Sequence, residues 1–253
     1  MSRVDLAGTA DSADSGAADS APLLELRGVR AGYGSIEVLH GVDLVVPQGT
    51  VVALLGPNGG GKSTTLKVCA GLITPTAGDV RLAGKLVNGC PADALARLGV
   101  CTIPEGRGIF PNLSVRDNLR MATQTGAPLR RIEEVAYSRF PRLGERRNQL
   151  AGTMSGGEQQ MLAMARALAV DPAVLLLDEL SMGLAPLIVE DLYGMVAQVA
   201  REGVSILVIE QFARTVLGIA DIAAIMMNGR IGAVGSPHDI ESHLQSAYLG
   251  GEQ

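Results

Sequence analysis

Tryptophan is absent from this 253-residue chain, and aromatic residues of all kinds make up only 3% of it. That scarcity argues against the stacking platforms on which single-stranded nucleic acids are held. Basic excess is missing as well. The 21 Lys and Arg stand against 26 Asp and Glu, a net charge of -5, so no dedicated nucleic-acid partner is expected. Cysteine is sparse: Cys69, Cys90 and Cys101 are odd in number and lack C-x-x-C spacing. A disulfide framework or zinc site is therefore not expected, and the usage fits a reducing cytoplasm. No apolar run reaches the roughly eighteen residues that a bilayer-spanning helix needs. The N-terminus has neither the basic start nor the apolar stretch of a secretory signal. Residues 1–22, which include Asp11-Ser12-Ala13-Asp14-Ser15-Gly16, are small, polar and acidic, and are expected to form a disordered tail.

What remains is 47% apolar, enough for a sizeable core. Leu24–Val29 alternates like a strand, and Val42–Val46 reads as another, closed by Pro47. Val51–Leu55, Val174–Leu177 and Val204–Ile209 are short continuous apolar runs of the kind buried in parallel sheets. Asp79–Leu82 and Gly99–Ile103 are shorter strands around a helical piece, and helices follow Lys62, Ser155 and Ala185. Ile222–Met227 and Arg230–Val234 flank Asn228-Gly229, a strong hairpin signal. In the middle of the chain, from about Pro111 to Gly152, the sequence becomes charged and helical, with Ser114 placed to cap a helix three residues before Asp117. The pattern implies an α/β core with a mainly parallel sheet, some antiparallel strands and an inserted helical subdomain.

Three segments carry chemistry. Gly56-Pro57-Asn58-Gly59-Gly60-Gly61-Lys62-Ser63-Thr64 fits G-x-x-x-x-G-K-[ST] and lies between an apolar strand and a helix. Glycines let successive N–H groups turn toward phosphate oxygens, and the helix N-terminus adds partial positive charge there. Lys62 would reach the β- and γ-phosphates, and the Ser63 hydroxyl would ligate Mg²⁺. The apolar run Val174–Leu177 ends in Asp178-Glu179, at the carboxyl edge of the sheet where α/β ligands bind. Asp178 suits a Mg²⁺ held through water, and Glu179 suits polarisation of an attacking water. Ser155-Gly156-Gly157 opens a third helix whose bare N-terminus is a second anion site.

In this order and spacing, these motifs resemble the ATP-binding subunits of ABC transporters from Leu23 onward. Gly56–Thr64 matches Walker A, Met154–Gln160 the signature with Met154 in place of leucine, Leu175–Glu179 Walker B, and Ser181–Ala185 the D-loop. Tyr33 stands where the family stacks an aromatic ring on adenine. The resemblance implies a P-loop NTPase (RecA-like) core with an antiparallel β-subdomain and a helical subdomain over about 111–165, all within residues 23–253. It implies ATP and Mg²⁺ as cofactors. ATP would be held between Walker A of one subunit and Ser155, Gly156 and Gly157 of another.

Glu105 replaces the usual Q-loop glutamine, and Gln211 the usual switch histidine. With the ending Ala247-Tyr248-Leu249-Gly250-Gly251, these departures resemble the shorter ATPase type of branched-chain amino acid importers. Leu180, Gly108, Gly60 and Phe212 depart even from that type. The partners implied are two permease subunits, a sibling ATPase or a second copy, and an extracytoplasmic solute-binding protein. The place implied is the cytoplasmic face of the membrane, peripherally bound. A urea or short-amide importer is the alternative, and a non-transport ABC ATPase a more distant one.

Overall fold

The computed structural model describes residues 22–106, 108–211 and 213–249. The acidic stretch expected to be disordered lies outside them, except Pro22, which begins the first strand. Strands β1 (Pro22–Tyr33) and β2 (Ile36–Pro47) form a long hairpin, and β3 (Val51–Leu55) runs through the glycine loop into α1 (Lys62–Cys69). A second hairpin, β4 (Ala77–Leu82) and β5 (Lys85–Leu86), precedes α2 (Ala92–Arg97) and β6 (Val100–Ile103). The helices α3 (Val115–Arg120), α4 (Leu129–Arg139) and α5 (Pro141–Glu145) follow, and then α6 (Gly156–Leu168). The chain returns to the core as β7 (Val174–Asp178), α7 (Pro186–Arg201), β8 (Ser205–Glu210) and α8 (Ala213–Leu217). It finishes with β9 (Ile222–Met227), β10 (Arg230–Gly235) and α9 (Pro237–Leu249).

Two sheets result. One is antiparallel, in the order β2-β1-β4-β5; the other runs β10-β9-β3-β8-β7-β6. In the second, β9, β3, β8, β7 and β6 are mutually parallel, and only β10 is antiparallel, joined to β9 by the Asn228-Gly229 turn. Every residue of β3, β7 and β8 is buried. These runs are continuous rather than alternating because helices cover both faces of a parallel sheet. The two faces of β3 feed two clusters: Val51, Ala53 and Leu55 pack with Leu162, Leu175 and Ile206, while Val52 and Leu54 pack with Leu26, Val42 and Leu66. The β1–β2 sheet is thus roofed over one face of the central sheet. Each buried Leu or Val contributes about 1.5–3 kcal/mol, so the central strands are rigid supports for what lies at their ends.

The helical region stands on caps readable in the sequence. The Ser114 hydroxyl accepts the Asp117 N–H at the start of α3, and Asn118, fully buried, donates to the Phe110 and Ser114 carbonyls. Among the described residues no helix is long and apolar enough to cross a membrane, and all three cysteines are unpaired.

Candidate functional site: a phosphate loop facing a carboxylate-tipped strand

After Leu55 the chain turns through a loop with almost no room for side chains. Gly56 has φ +151°, and a Cβ there would lie 2.0 Å from the Met226 carbonyl oxygen. Gly61 has φ +107° and would meet the Met226 methyl at 2.9 Å. Only glycine accepts both the backbone angle and the approach. The β9–β10 turn braces the loop from behind, since the Gly229 N–H donates to the Gly60 carbonyl at 2.8 Å. Lys62 is 4% exposed, and its Nζ donates to the Gly56 and Pro57 carbonyls at 2.9 and 3.1 Å. The ammonium is therefore folded over the loop it belongs to, at the mouth of a cavity of about 410 Å³. Asn58, Gly59, Gly61, Lys62, Ser63 and Thr64 line that cavity on one side, and Glu105 and Glu179 on the other.

Asp178 ends β7 and is 6% exposed; its Oδ1 accepts the Ser63 hydroxyl at 3.3 Å. Burial first, then the charge of Glu179 with a further push from Glu105, raises its carboxyl to about 6, against the pull of Ser63 and Lys62. Glu179 is raised too, by burial, with Glu105 and Glu210 adding to it and Lys62 opposing. Three carboxylates thus crowd one lysine, and a divalent cation would relieve them. Among the described residues no group of three or more His, Cys, Asp or Glu is gathered closely enough to hold a metal unaided. The donor set fits Mg²⁺ nonetheless: that ion keeps several waters and takes one or two protein oxygens plus phosphate oxygens. Ser63 and Asp178, whose oxygens lie 3.3 Å apart, would supply the protein oxygens, with Glu105 also in the cavity lining.

A larger concavity, about 700 Å³, lies elsewhere, beside Ser181–Leu184. Its lining is mainly apolar and includes nothing from the glycine loop. The smaller cavity, where the glycine-loop backbone, an ammonium and the carboxylates converge, has the chemistry that a phosphate group needs.

The remaining sequence-derived residues are spread more widely. Tyr33 closes β1 beside α1. Its hydroxyl lies 3.5 Å from Thr64 Oγ1 and accepts from Lys67 Nζ at 3.3 Å, leaving the residue 48% exposed. Ser155 caps α6 in a capping box: the Glu158 N–H donates to its hydroxyl at 3.4 Å, and Glu158 Oε2 accepts the Ser155 N–H and hydroxyl at 3.0 and 2.9 Å. Burial pushes the Glu158 carboxyl up, but the Ser155 bonds and nearby Arg146 outweigh it and hold the group below its ordinary range. Neither Ser155, Gly156 nor Gly157 lines the cavity of this chain, and Gln211, exposed just past β8, does not either. Phe212 lies outside the described residues.

Residues 39–181 match the ABC transporter family. The chain belongs to that family and is an ATPase. Over 228 residues, covering 87% of the chain and 96% of the relative, it is 42% identical to the high-affinity branched-chain amino acid transport ATP-binding protein BraG of Pseudomonas aeruginosa. It is 32% identical over 235 residues to the lipopolysaccharide export system ATP-binding protein LptB of Escherichia coli K12, covering 90% of the chain and 97% of the relative. Among solved structures, a nucleotide-free ATP-binding cassette from an ABC transporter superposes with a TM-score of 0.80 at 25% identity, over 89% of this chain and 96% of that one.

The fold adds contacts around the site that the sequence motifs alone do not show. Lys67 holds Tyr33, its Nζ 5.6 Å from the ring centroid. Its signal was present: it lies four residues after Ser63 on one helical face. Arg166, on the signature helix α6, donates to the Gly108 carbonyl of the loop that carries Glu105 and stacks on Phe110 at 5.4 Å. Gln160, on the same helix, donates to the Leu180 carbonyl at 3.3 Å. Glu210, between the apolar run Val204–Ile209 and Gln211, is 1% exposed and accepts hydrogen bonds from Ser181 and Tyr193. Nothing local marks a carboxylate at the end of an apolar strand as buried.

Proposed function

We propose that this chain drives import of branched-chain amino acids through a membrane permease, by binding and hydrolysing Mg²⁺-ATP. The observation that carries the solute class is the 42% identity to BraG over nearly the whole of both chains, against 32% to an export-system subunit. Two permease subunits, a solute-binding protein and a second ATPase subunit, sibling or copy, complete the assembly, with this chain at the cytoplasmic face of the membrane.

The site supports a division of labour. Lys62 and the N–H groups of residues 56–64 bind the phosphates, and Tyr33 offers its exposed ring to the base. Ser63 and Asp178, with Glu105 close by, would hold Mg²⁺, which would supply positive charge against the triphosphate. Glu179 accepts hydrogen from the attacking water, a role that its raised carboxyl suits. Gln211 donates its amide hydrogen to the γ-phosphate. None of Ser155, Gly156 and Gly157 lines this chain's own Walker A cavity. A second subunit's Ser155, Gly156 and Gly157 would close it, directing a second helix N-terminus at the γ-phosphate. The test is purification from detergent-solubilised membranes followed by reconstitution in vesicles. A permease band, and ATP-dependent uptake of leucine, isoleucine or valine with the solute-binding protein present, are the expected outcomes. Uptake of urea or short amides alone would move the solute, and recovery with ribosomes or DNA would remove the transport reading.

A further inference from the structure

Glu210 is a carboxylate shut away from water. It ends β8 at 1% exposure, and the hydrogen bonds it accepts come from neutral groups. Oε1 accepts the Ser181 N–H at 3.1 Å and the Tyr193 hydroxyl, and Oε2 accepts the Ser181 hydroxyl at 3.0 Å. Tyr193, on α7, is 2% exposed; burial, reinforced by the Glu210 charge, keeps its hydroxyl protonated and therefore a donor. Burying a carboxylate without a cation is costly unless hydrogen bonds replace its hydration, and three do so here. An apolar side chain of the same volume would fill the place more cheaply, so stability alone does not account for the group.

Its position does. Ser181 lies two residues past Glu179, whose N–H donates to the Ile209 carbonyl at 3.0 Å, and Gln211 follows Glu210 directly. One side chain therefore spans the exits of β7 and β8, the two strands that present Glu179 and Gln211. Glu179 has φ +47°, a left-handed backbone that a non-glycine residue keeps only when its surroundings impose it. The outer side of the Ser181–Ala185 loop is open: it borders the groove of about 700 Å³, and Met182 is 49% exposed. Leu184 packs against the core and Gln160 holds the Leu180 carbonyl, while Glu210 supplies the side-chain hydrogen bonds to Ser181 that tie the loop to β8.

We propose that Glu210 is a positioning residue for ATP hydrolysis, fixing the loop after Walker B, and with it the Glu179 backbone, in register with Gln211. It touches neither phosphate nor metal. The inference rests on the roles given above to Glu179 and Gln211.

The test compares Glu210→Gln, Tyr193→Phe, their double variant and Glu179→Gln in the full chain, purified with the subunits that accompany it. Glu210→Gln keeps the shape but turns one acceptor into a donor that faces other donors. It is expected to lower kcat about tenfold or more, the scale set by small misplacements of a reacting group. KM for ATP, fluorescent-nucleotide affinity and the melting midpoint stay near wild type. Tyr193→Phe lowers kcat by less, and the double variant falls no further than Glu210→Gln, because the two side chains act as one unit. Wild-type turnover in Glu210→Gln overturns the inference. So does a parallel loss of kcat, nucleotide affinity and melting midpoint with kcat untouched in Tyr193→Phe, which assigns the cluster to folding alone. If Glu179→Gln is inactive while Glu210→Gln turns over normally, only this inference fails. Full turnover in Glu179→Gln sinks the hydrolytic assignment and this inference together.

Discussion

The Ser63 hydroxyl donates to Asp178 Oδ1 at 3.3 Å, joining the first turn of α1 to the tip of β7 across 115 residues of sequence. That bond brings the phosphate-binding and metal-binding halves of the site into one place. Burial and the neighbouring charges of Glu179 and Glu105 raise the Asp178 carboxyl to about 6 in spite of that bond.

The raised value has a signed consequence for the nucleotide-free protein. Between about pH 4 and pH 6 the folded chain holds a proton on Asp178 that the unfolded chain has released, so this group's contribution to stability is lost as pH rises through that window. Asp178→Asn removes the unfavourable charge. In metal-free buffer the variant should melt above wild type at pH 7, with the gap closing as pH falls toward 4. Melting curves taken across that range decide it, and a gap independent of pH would show that Asp178 carries no raised carboxyl.

Lys62→Ala should weaken ATP binding about a hundredfold, since a charge-assisted bond is worth about 1.5–3 kcal/mol and Lys62 is, among the described residues, the only cation lining the cavity. The same variant releases two loop carbonyls that Lys62 now occupies. Fluorescent-nucleotide titration reads the loss, and unchanged affinity would dislodge the nucleotide from this loop.

Glu105 is exposed, yet it lines the cavity and raises both Asp178 and Glu179. A hard cation gains from each added carboxylate. Glu105→Ala should therefore raise the Mg²⁺ concentration for half-maximal ATPase activity about threefold or more, an order-of-magnitude expectation from losing one charged ligand near the metal. Titrating Mg²⁺ at saturating ATP tests this. An unchanged midpoint returns Glu105 to the solvent.

Gln211 can donate an amide hydrogen but does not titrate. Gln211→Ala should slow hydrolysis, while Gln211→His should retain activity and acquire a pH dependence between about 6 and 7, where imidazole changes charge. Steady-state ATPase from pH 5.5 to 8.5 separates these outcomes; wild-type turnover in the alanine variant would remove Gln211 from the reaction.

Much of this site was legible because its supports are local. The runs that become β3, β7 and β8 are short, apolar and bounded by glycine or carboxylate, and all are fully buried as such runs should be. The Ser114 and Ser155 caps and the Asn228-Gly229 turn are equally local. The β1–β2 hairpin was less legible. Sequence reading places strands at 24–29 and 42–46, whereas each strand spans 12 residues. Register shifts between Leu26 and Val29 and between Ala31 and Gly32 break the alternation that a pattern search relies on. Glu210 and Tyr193 were hidden for another reason: they meet only once α7 packs beside β8, and neither residue's neighbours announce the other. The departure at Gly60 became intelligible only in three dimensions, since a Cβ there would sit 3.0 Å from the carbonyls of both Met226 and Pro57.

The brace behind the phosphate loop also sets an order of events during synthesis. Residues 56–61 lean on Met226 and Gly229, and β3 is completed on one side by β9. A nascent chain that has emerged only as far as Walker B carries every phosphate-binding residue of its own loop without the wall that shapes it. Competence to hold a nucleotide should then arrive late and abruptly, once the β9–β10 turn clears the ribosome.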